Sequence, residues 1–203
     1  MPELSQRIID HYERHALAWD RDRRGGRFQE AGWLNRFASL FPAGAQVLDL
    51  GCGGGDPVAR ALVELGFKVT GVDSSPTLIS LCRARMPEQE WIVGDMRTID
   101  LQRSFDGILA WDSFFHLTPD DQRHVIGVFA RHSRGGSALL FNTGPAAGEA
   151  IGSYRGDLLY HASLDAAAYE TLLAQNDFGI LGHVVEDPDA GGRTVWLARR
   201  RAG

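Results

Sequence analysis

Between Val47 and Asp56 the chain reads VLDLGCGGGD. An apolar run meets one carboxylate, five small residues follow, and a second carboxylate closes the stretch. A backbone stripped of side chains at a strand end can approach a ligand closely and take positive φ. The acids constrain which ligand that is. A dinucleotide would want glycine at 51, 53 and 56, and position 56 is aspartate. Its pyrophosphate would also need the N–H groups opening the next helix. Asp56, expected to cap that helix, would compete for those groups, and Asp49 would add further repulsion. The turn therefore favours a ligand that is uncharged or cationic where it touches the loop.

The elements that must position this turn follow from periodicity. Residues 4–20 predict a helix with Leu4, Ile8, Tyr12, Leu17 and Trp19 on a partly apolar face, broken by RDRRGGRF. Residues 30–41 predict a second helix ended by Pro42. Strands are then expected at 45–50, 68–73, 90–95, 105–111 and 137–143, with helices at 57–66, 76–85 and 119–132 between them. Asp56-Pro57, Ser75-Pro76 and Thr118-Pro119 each put a capping residue before a proline, a helix-start signal. Strands alternating with helices argue for an α/β fold with a parallel sheet and helices on both faces. A helix at 164–177 and two strands around PDAGG, an antiparallel hairpin, complete the chain. Residues 144–163, rich in glycine and aromatics with no clear period, are expected to be a lid or binding loop.

The sequence has 203 residues, 44% hydrophobic and 23% charged, with net charge −5. That length suits one domain, 1–203, divided into a helical cap (1–42), a ligand-binding core (45–143), the lid (144–163) and a C-terminal helix and hairpin (164–200). Net acidity argues against a nucleic-acid or anionic-membrane partner. Two cysteines, Cys52 and Cys82, make neither a disulfide framework nor a zinc motif. With no signal-peptide pattern and no membrane-length apolar run, a cytoplasmic location is expected. His11 and His15 stand at i, i+4, a spacing that can hold a metal. No third ligand is visible nearby in sequence, so a solvated face and no metal are expected.

The motifs together resemble the class I S-adenosylmethionine (SAM)-dependent methyltransferases. Asp49, Gly51, Gly53 and Gly55 match the acid-x-Gly-x-Gly-x-Gly pattern of that family's first motif. The resemblance covers roughly residues 45–200. It implies a Rossmann-like doubly wound mixed sheet of seven strands, the last antiparallel, with N-terminal helices and a lid segment. It implies SAM as cofactor and S-adenosylhomocysteine as its product. Asp49 and the turn's carbonyls then suit the methionyl ammonium, and Cys52 is a small turn residue lining the cofactor. Asp73, with Ser74, ends VTGVDSS where ribose hydroxyls are bound, a device that NAD enzymes share. Asp95 and Met96 resemble the adenine position. Trp111 ends the strand of the fourth motif and lines the cofactor.

Methyl transfer is an in-line displacement in which sulfonium charge disappears, so positioning and exclusion of water matter most. Tyr12 and Trp19 on the first helix are expected against the cofactor, and Trp33 on the second in the substrate region. An aromatic face can hold the sulfonium for ~0.5–2 kcal/mol. His116 and His161 are the candidate catalytic residues, since histidine takes a proton near neutrality. Asp112, Tyr154, Arg155 and Tyr160 are the other substrate-binding candidates, and the arginines at 21–27 or Arg155 would grip a carboxylate. No Asn-Pro-Pro-Tyr-type motif follows the fourth strand. A small-molecule acceptor is therefore expected, with no nucleic acid, no membrane, and a monomer or homodimer. A nucleotide-cofactor oxidoreductase and a non-catalytic SAM-binding protein are the competing readings.

Overall fold

The computed structural model describes residue 5 and residues 7–202. Helix α1 spans Ile8–Gly25 and α2 spans Ala31–Ala38. The chain then alternates through β1 (Gln46–Leu50), α3 (Val58–Glu64), β2 (Lys68–Asp73), α4 (Pro76–Arg85), β3 (Glu90–Val93) and β4 (Phe105–Ala110). A 3-10 turn, Phe114–His116, leads to α5 (Pro119–Arg131) and β5 (Ser133–Thr143). A hairpin of β6 (Gly148–Tyr154) and β7 (Asp157–Ser163) follows, then α6 (Ala166–Gln175), β8 (Phe178–Asp187) and β9 (Arg193–Arg200).

Seven strands form one sheet in the order β3-β2-β1-β4-β5-β9-β8. The pairs from β3 to β5 are parallel, and β9 runs antiparallel to both β5 and β8. The sheet is the mixed seven-stranded α/β architecture expected from the sequence. Burial shows why the strands read as near-continuous apolar runs. Both faces of a mostly parallel sheet are covered by helices, so neither can stay polar. Along β1, Val47 joins one core cluster while Leu48 and Leu50 join the other. Along β5, Ala138 and Leu140 face the first cluster, and Leu139 and Phe141 the second. That alternation is the period of two of an extended chain. Strand order reverses between β1 and β4, and the crevice at the carboxyl ends of these strands is where such sheets bind ligands.

Three local expectations are corrected. Helix α1 does not break at Arg21 but continues to Gly25. Arginine is a good helix former, and Arg24 pairs with Asp20 one turn back at 3.1 Å. Of the expected start of that helix, Leu4 lies outside the described residues. Asp56 does not cap α3, whose first turn has no side-chain cap among the described residues; its carboxylate accepts from Nε of Arg60 at 2.8 Å instead. Ser75 and Thr118 do cap α4 and α5, accepting from the N–H groups of Leu78 and Asp121. Residues 148–163 are not an irregular loop but a two-stranded hairpin. Its two central turn residues, Arg155 (φ 52°) and Gly156 (φ 88°), both take positive φ. That is the left-handed pair a two-residue hairpin turn needs to match strand twist.

Candidate active site

The carboxyl ends of β1 and β4, the glycine turn and helix α1 enclose a cleft of about 1140 Å³, mouth included. The turn is shaped by close approach. Gly51 has φ 79°, and a Cβ there would lie 2.3 Å from Cβ of Ser113, whose hydroxyl donates to the Leu50 carbonyl. A Cβ on Gly54 would lie 2.2 Å from Oδ1 of Asp20. Asp20 receives both terminal nitrogens of Arg85, at 2.5 and 2.6 Å, and Arg85 also donates to the Gly54 carbonyl at 3.0 Å. Helix α1 is thereby clamped onto the glycine turn. Burial opposes ionisation of Asp20, but the hydrogen bonds and charges of Arg85 and Arg24 prevail and hold its carboxyl low.

Three acids from consecutive strand ends line the cleft. Asp49 is 2% exposed, and its Oδ2 has no hydrogen-bond partner among the described residues. Burial, with the nearby charge of Asp73, pushes its carboxyl up to about 7. A buried acceptor left open in this way calls for a cation or donor from outside the chain. Asp73 accepts from the N–H of Gly53 at 2.8 Å and of Ser75 at 2.9 Å. Burial raises its pKa despite those two bonds. Asp95 is chelated by Arg97, with contacts of 2.6–3.0 Å. Burial works against its charge, but Arg97 wins and holds the pKa down. Cys52, Ser74, Met96 and Trp111 also line the cleft. Burial pushes the Cys52 thiol well up, so it is a poor nucleophile.

The roof comes from α1. Tyr12 and Trp19 both line the cleft and meet edge to face, centroids 5.3 Å apart. The Tyr12 hydroxyl lies 2.7 Å from Nε2 of His116. Nδ1 of His116 lies 2.9 Å from the Tyr160 carbonyl, which can only accept, so the ring proton is on Nδ1. Burial lowers the His116 pKa to about 4, so the ring is neutral and Nε2 accepts from Tyr12. Burial raises the Tyr12 phenol in turn, helped by the charges of Asp112 and Asp73.

Other expected residues stand elsewhere. His161 does not line the cleft; its ring sits beside His116, centroids 4.9 Å apart. Trp33 is 7% exposed in the core, where its indole N–H donates to Asp187 at 2.7 Å, so it cannot meet a substrate in the cleft. Tyr160 is fully buried outside the cleft and donates to Glu149, and burial with that carboxylate pushes its phenol up to about 12. Tyr154 and Arg155, at the hairpin tip, bind Asp22 of α1 at 2.7 and 3.0 Å. They fasten the hairpin to the helix rather than face the cleft. Asp112 lines the cleft, but both its oxygens are held by Arg193 at 2.7 Å and one also by Asn142 at 2.9 Å.

The structure selects among the arginines expected at 21–27 and adds residues that carried no sequence signal of their own. Arg23, one of the arginines at 21–27, lines the cleft and pairs with the buried Glu30. Arg193 and Asn142 do not line the cleft; they arrive from β9 and β5 through the sheet and hold Asp112. Ser113 sits against the glycine turn, and only its place after β4 hinted at it.

Residues 47–136 match the profile of a family described as a methyltransferase domain. Ubiquinone biosynthesis O-methyltransferase of Xanthomonas axonopodis pv. citri (strain 306) is 31% identical over 112 residues, 52% of this chain and 46% of that protein. The dTDP-4-amino-2,3,4,6-tetradeoxy-D-glucose N,N-dimethyltransferase of Saccharopolyspora spinosa is 34% identical over 103 residues, 49% of this chain and 41% of that one. The chain thus spans less than half the length of these curated relatives. Among solved structures, the 1,6-didemethyltoxoflavin-N1-methyltransferase of Burkholderia thailandensis, with bound 1,6-didemethyltoxoflavin and S-adenosylhomocysteine, superposes with a TM-score of 0.75 at 18% identity, over 98% of this chain and 89% of that one. A SAM-bound amino pentose methyltransferase from Micromonospora echinaspora gives 0.71 at 19% identity, over 91% and 96%. At such identities the structural likeness is one of fold. The matched segment, residues 47–136, is the one that builds the glycine turn and the acid-lined strand ends, so the likeness in sequence falls on that part of the cleft.

Proposed function

We propose that the chain is a SAM-dependent methyltransferase that transfers a methyl group to O, N, S or C of a small-molecule acceptor. The observation that carries this reading is the open Oδ2 of Asp49, buried beneath a side-chain-poor turn. An ammonium satisfies that oxygen, and a pyrophosphate would be repelled by it. In this reading Asp49 and the carbonyls of Gly51–Gly54 hold the methionyl end. Asp73 and Ser74 hold the ribose: a carboxylate has about four lone-pair sites, and Gly53 and Ser75 occupy two. Asp95 accepts from the adenine amino group while Met96 packs on the ring, and Trp111 lines the cofactor. Tyr12 and Trp19 cover the reactive end.

Bound there, SAM supplies an electrophilic methyl group on a sulfonium. The chain's own part is to position the acceptor, exclude water and take a proton where the acceptor has one to lose. Burial holds the His116 pKa at about 4, well below the near-neutral value expected, so it can take that proton only as a weak base, at Nε2, while the Tyr160 carbonyl keeps the other ring nitrogen protonated. The Tyr12 hydroxyl, already bonded to Nε2, can relay it from the cleft. His161 would tune His116 from beside it. Arg23, which lines the cleft, can grip a carboxylate on acceptor or cofactor.

The acidic balance of the chain supports a partner that is neither nucleic acid nor membrane. Among the described residues no helix is long and apolar enough to cross a membrane. A cytoplasmic monomer or homodimer organised as a single domain is our working description.

The test is a thermal shift and calorimetric titration. SAM and S-adenosylhomocysteine should raise the melting point, and NADPH should not. Asp73→Ala should weaken SAM binding by ~1.5–3 kcal/mol. A melting point indifferent to both adenosyl ligands refutes the reading. Labelled-methyl transfer into small-metabolite pools then separates an enzyme from a non-catalytic SAM-binding protein.

A further inference from the structure

His11, His15 and Asp157 each offer one ligand atom, and these atoms lie within 4.8 Å of one another. The two histidines come from successive turns of α1, the aspartate from the first residue of β7. Oδ2 of Asp157 lies 2.8 Å from Nε2 of His15 and 3.7 Å from Nδ1 of His11. A tetrahedral ion holding ligands at about 2.0–2.1 Å needs them about 3.3–3.4 Å apart. The observed spacings bracket that edge, so small side-chain rotations bring all three into range.

His11 is the informative member. It is 4% exposed, yet neither ring nitrogen has a hydrogen-bond partner among the described residues. Buried imidazole nitrogens are ordinarily satisfied.

We infer that His11, His15 and Asp157 form a binding site for a divalent ion of the zinc type, joining helix α1 to the β6–β7 hairpin. Two imidazoles and one carboxylate suit such an ion better than calcium or magnesium, which prefer all-oxygen shells. Water would complete the coordination. The guanidinium of Arg14 now occupies Asp157 at 2.7 Å and is the competitor the ion must displace. With its side chain 62% exposed, Arg14 can swing into solvent at little cost. Tyr12 lies between the two ligands in sequence, so an ion here fixes the helix that roofs the cleft. It ties that helix to a hairpin 142 residues away. The site stands independently of the cofactor reading.

The test is titration of Zn2+ into untagged, EDTA-stripped protein without cofactor. One ion per chain is expected, with a rise in melting point. His15→Ala and Asp157→Asn should each weaken binding by roughly tenfold or more, and Arg14→Ala should retain or tighten it. Absence of saturable binding overturns the inference, as does affinity unchanged in either ligand variant. Should a variant fail to fold, substoichiometric Co2+ with the unaltered chain decides by NMR. The ring protons of His11 and His15 must broaden first; first broadening at His124 or His183 overturns the site.

Discussion

The Tyr12 hydroxyl and Nε2 of His116 lie 2.7 Å apart although 104 residues separate them in the chain. The contact joins the roof of the cleft to its floor, and it ties a phenol raised by burial to an imidazole lowered by burial. His116→Gln should cut methyl transfer by ~10²–10⁴-fold if the acceptor loses a proton during transfer. SAM affinity should stay near that of the parent, because the loss falls on kcat. Single-turnover and binding measurements on the same variant check both.

His116 also makes stability depend on pH. Its native pKa is about 4, against ~6.5 in an unfolded chain. Below 6.5 the unfolded chain binds a proton that the native ring refuses. The contribution is therefore complete above pH ~6.5 and is lost as pH falls from there through about 4, to a limit on the order of 3 kcal/mol. Urea midpoints measured across that window should fall more steeply for the parent than for His116→Gln.

Asp49 predicts proton release on ligand binding. Its carboxyl is pushed up to about 7 in the free protein, so much of it is protonated just below neutrality. An ammonium beside the open oxygen favours the charged form. Binding of SAM should therefore release a proton and strengthen as pH rises toward 7. Calorimetric enthalpies at pH 6.5 in buffers of different ionisation enthalpy should differ for the parent and agree for Asp49→Asn.

Gly51→Ala should abolish cofactor binding. The new methyl group would meet Cβ of Ser113 at 2.3 Å on a backbone at φ 79°. The side chain faces a neighbour that cannot step aside without disturbing the Leu50 carbonyl it bonds. A destabilisation of ~1–3 kcal/mol is expected from strain and overpacking. Adding Ser113→Gly should recover part of it, which paired unfolding curves would reveal.

Arg193→Ala should destabilise the fold by ~1–3 kcal/mol, because it leaves the Asp112 carboxylate, 15% exposed, without its bidentate partner. The double variant with Asp112→Asn should be milder than Arg193→Ala alone, since no charge is then stranded. Thermal denaturation of the three proteins checks this order.

Features that depend on neighbours along the chain can be read directly from the residues. Strand and helix alternation, the caps at Ser75 and Thr118 and the glycine turn are local, written in periods and turn chemistry within a few residues. The hairpin at 148–163 escaped because its first strand is mostly exposed and carries no alternating apolar face. Which distant side chains meet follows only from how the elements pack. That packing drew Trp33 into the core against Asp187 and gave Asp112 to Arg193. It also set Asp157 beside His11 and His15, where the sequence offered no third ligand. The physical reason is that folding closes these long loops to bury the sheet's two faces. Pairs more than 80 residues apart, such as Asp112 and Arg193, leave no mark on the sequence around either one.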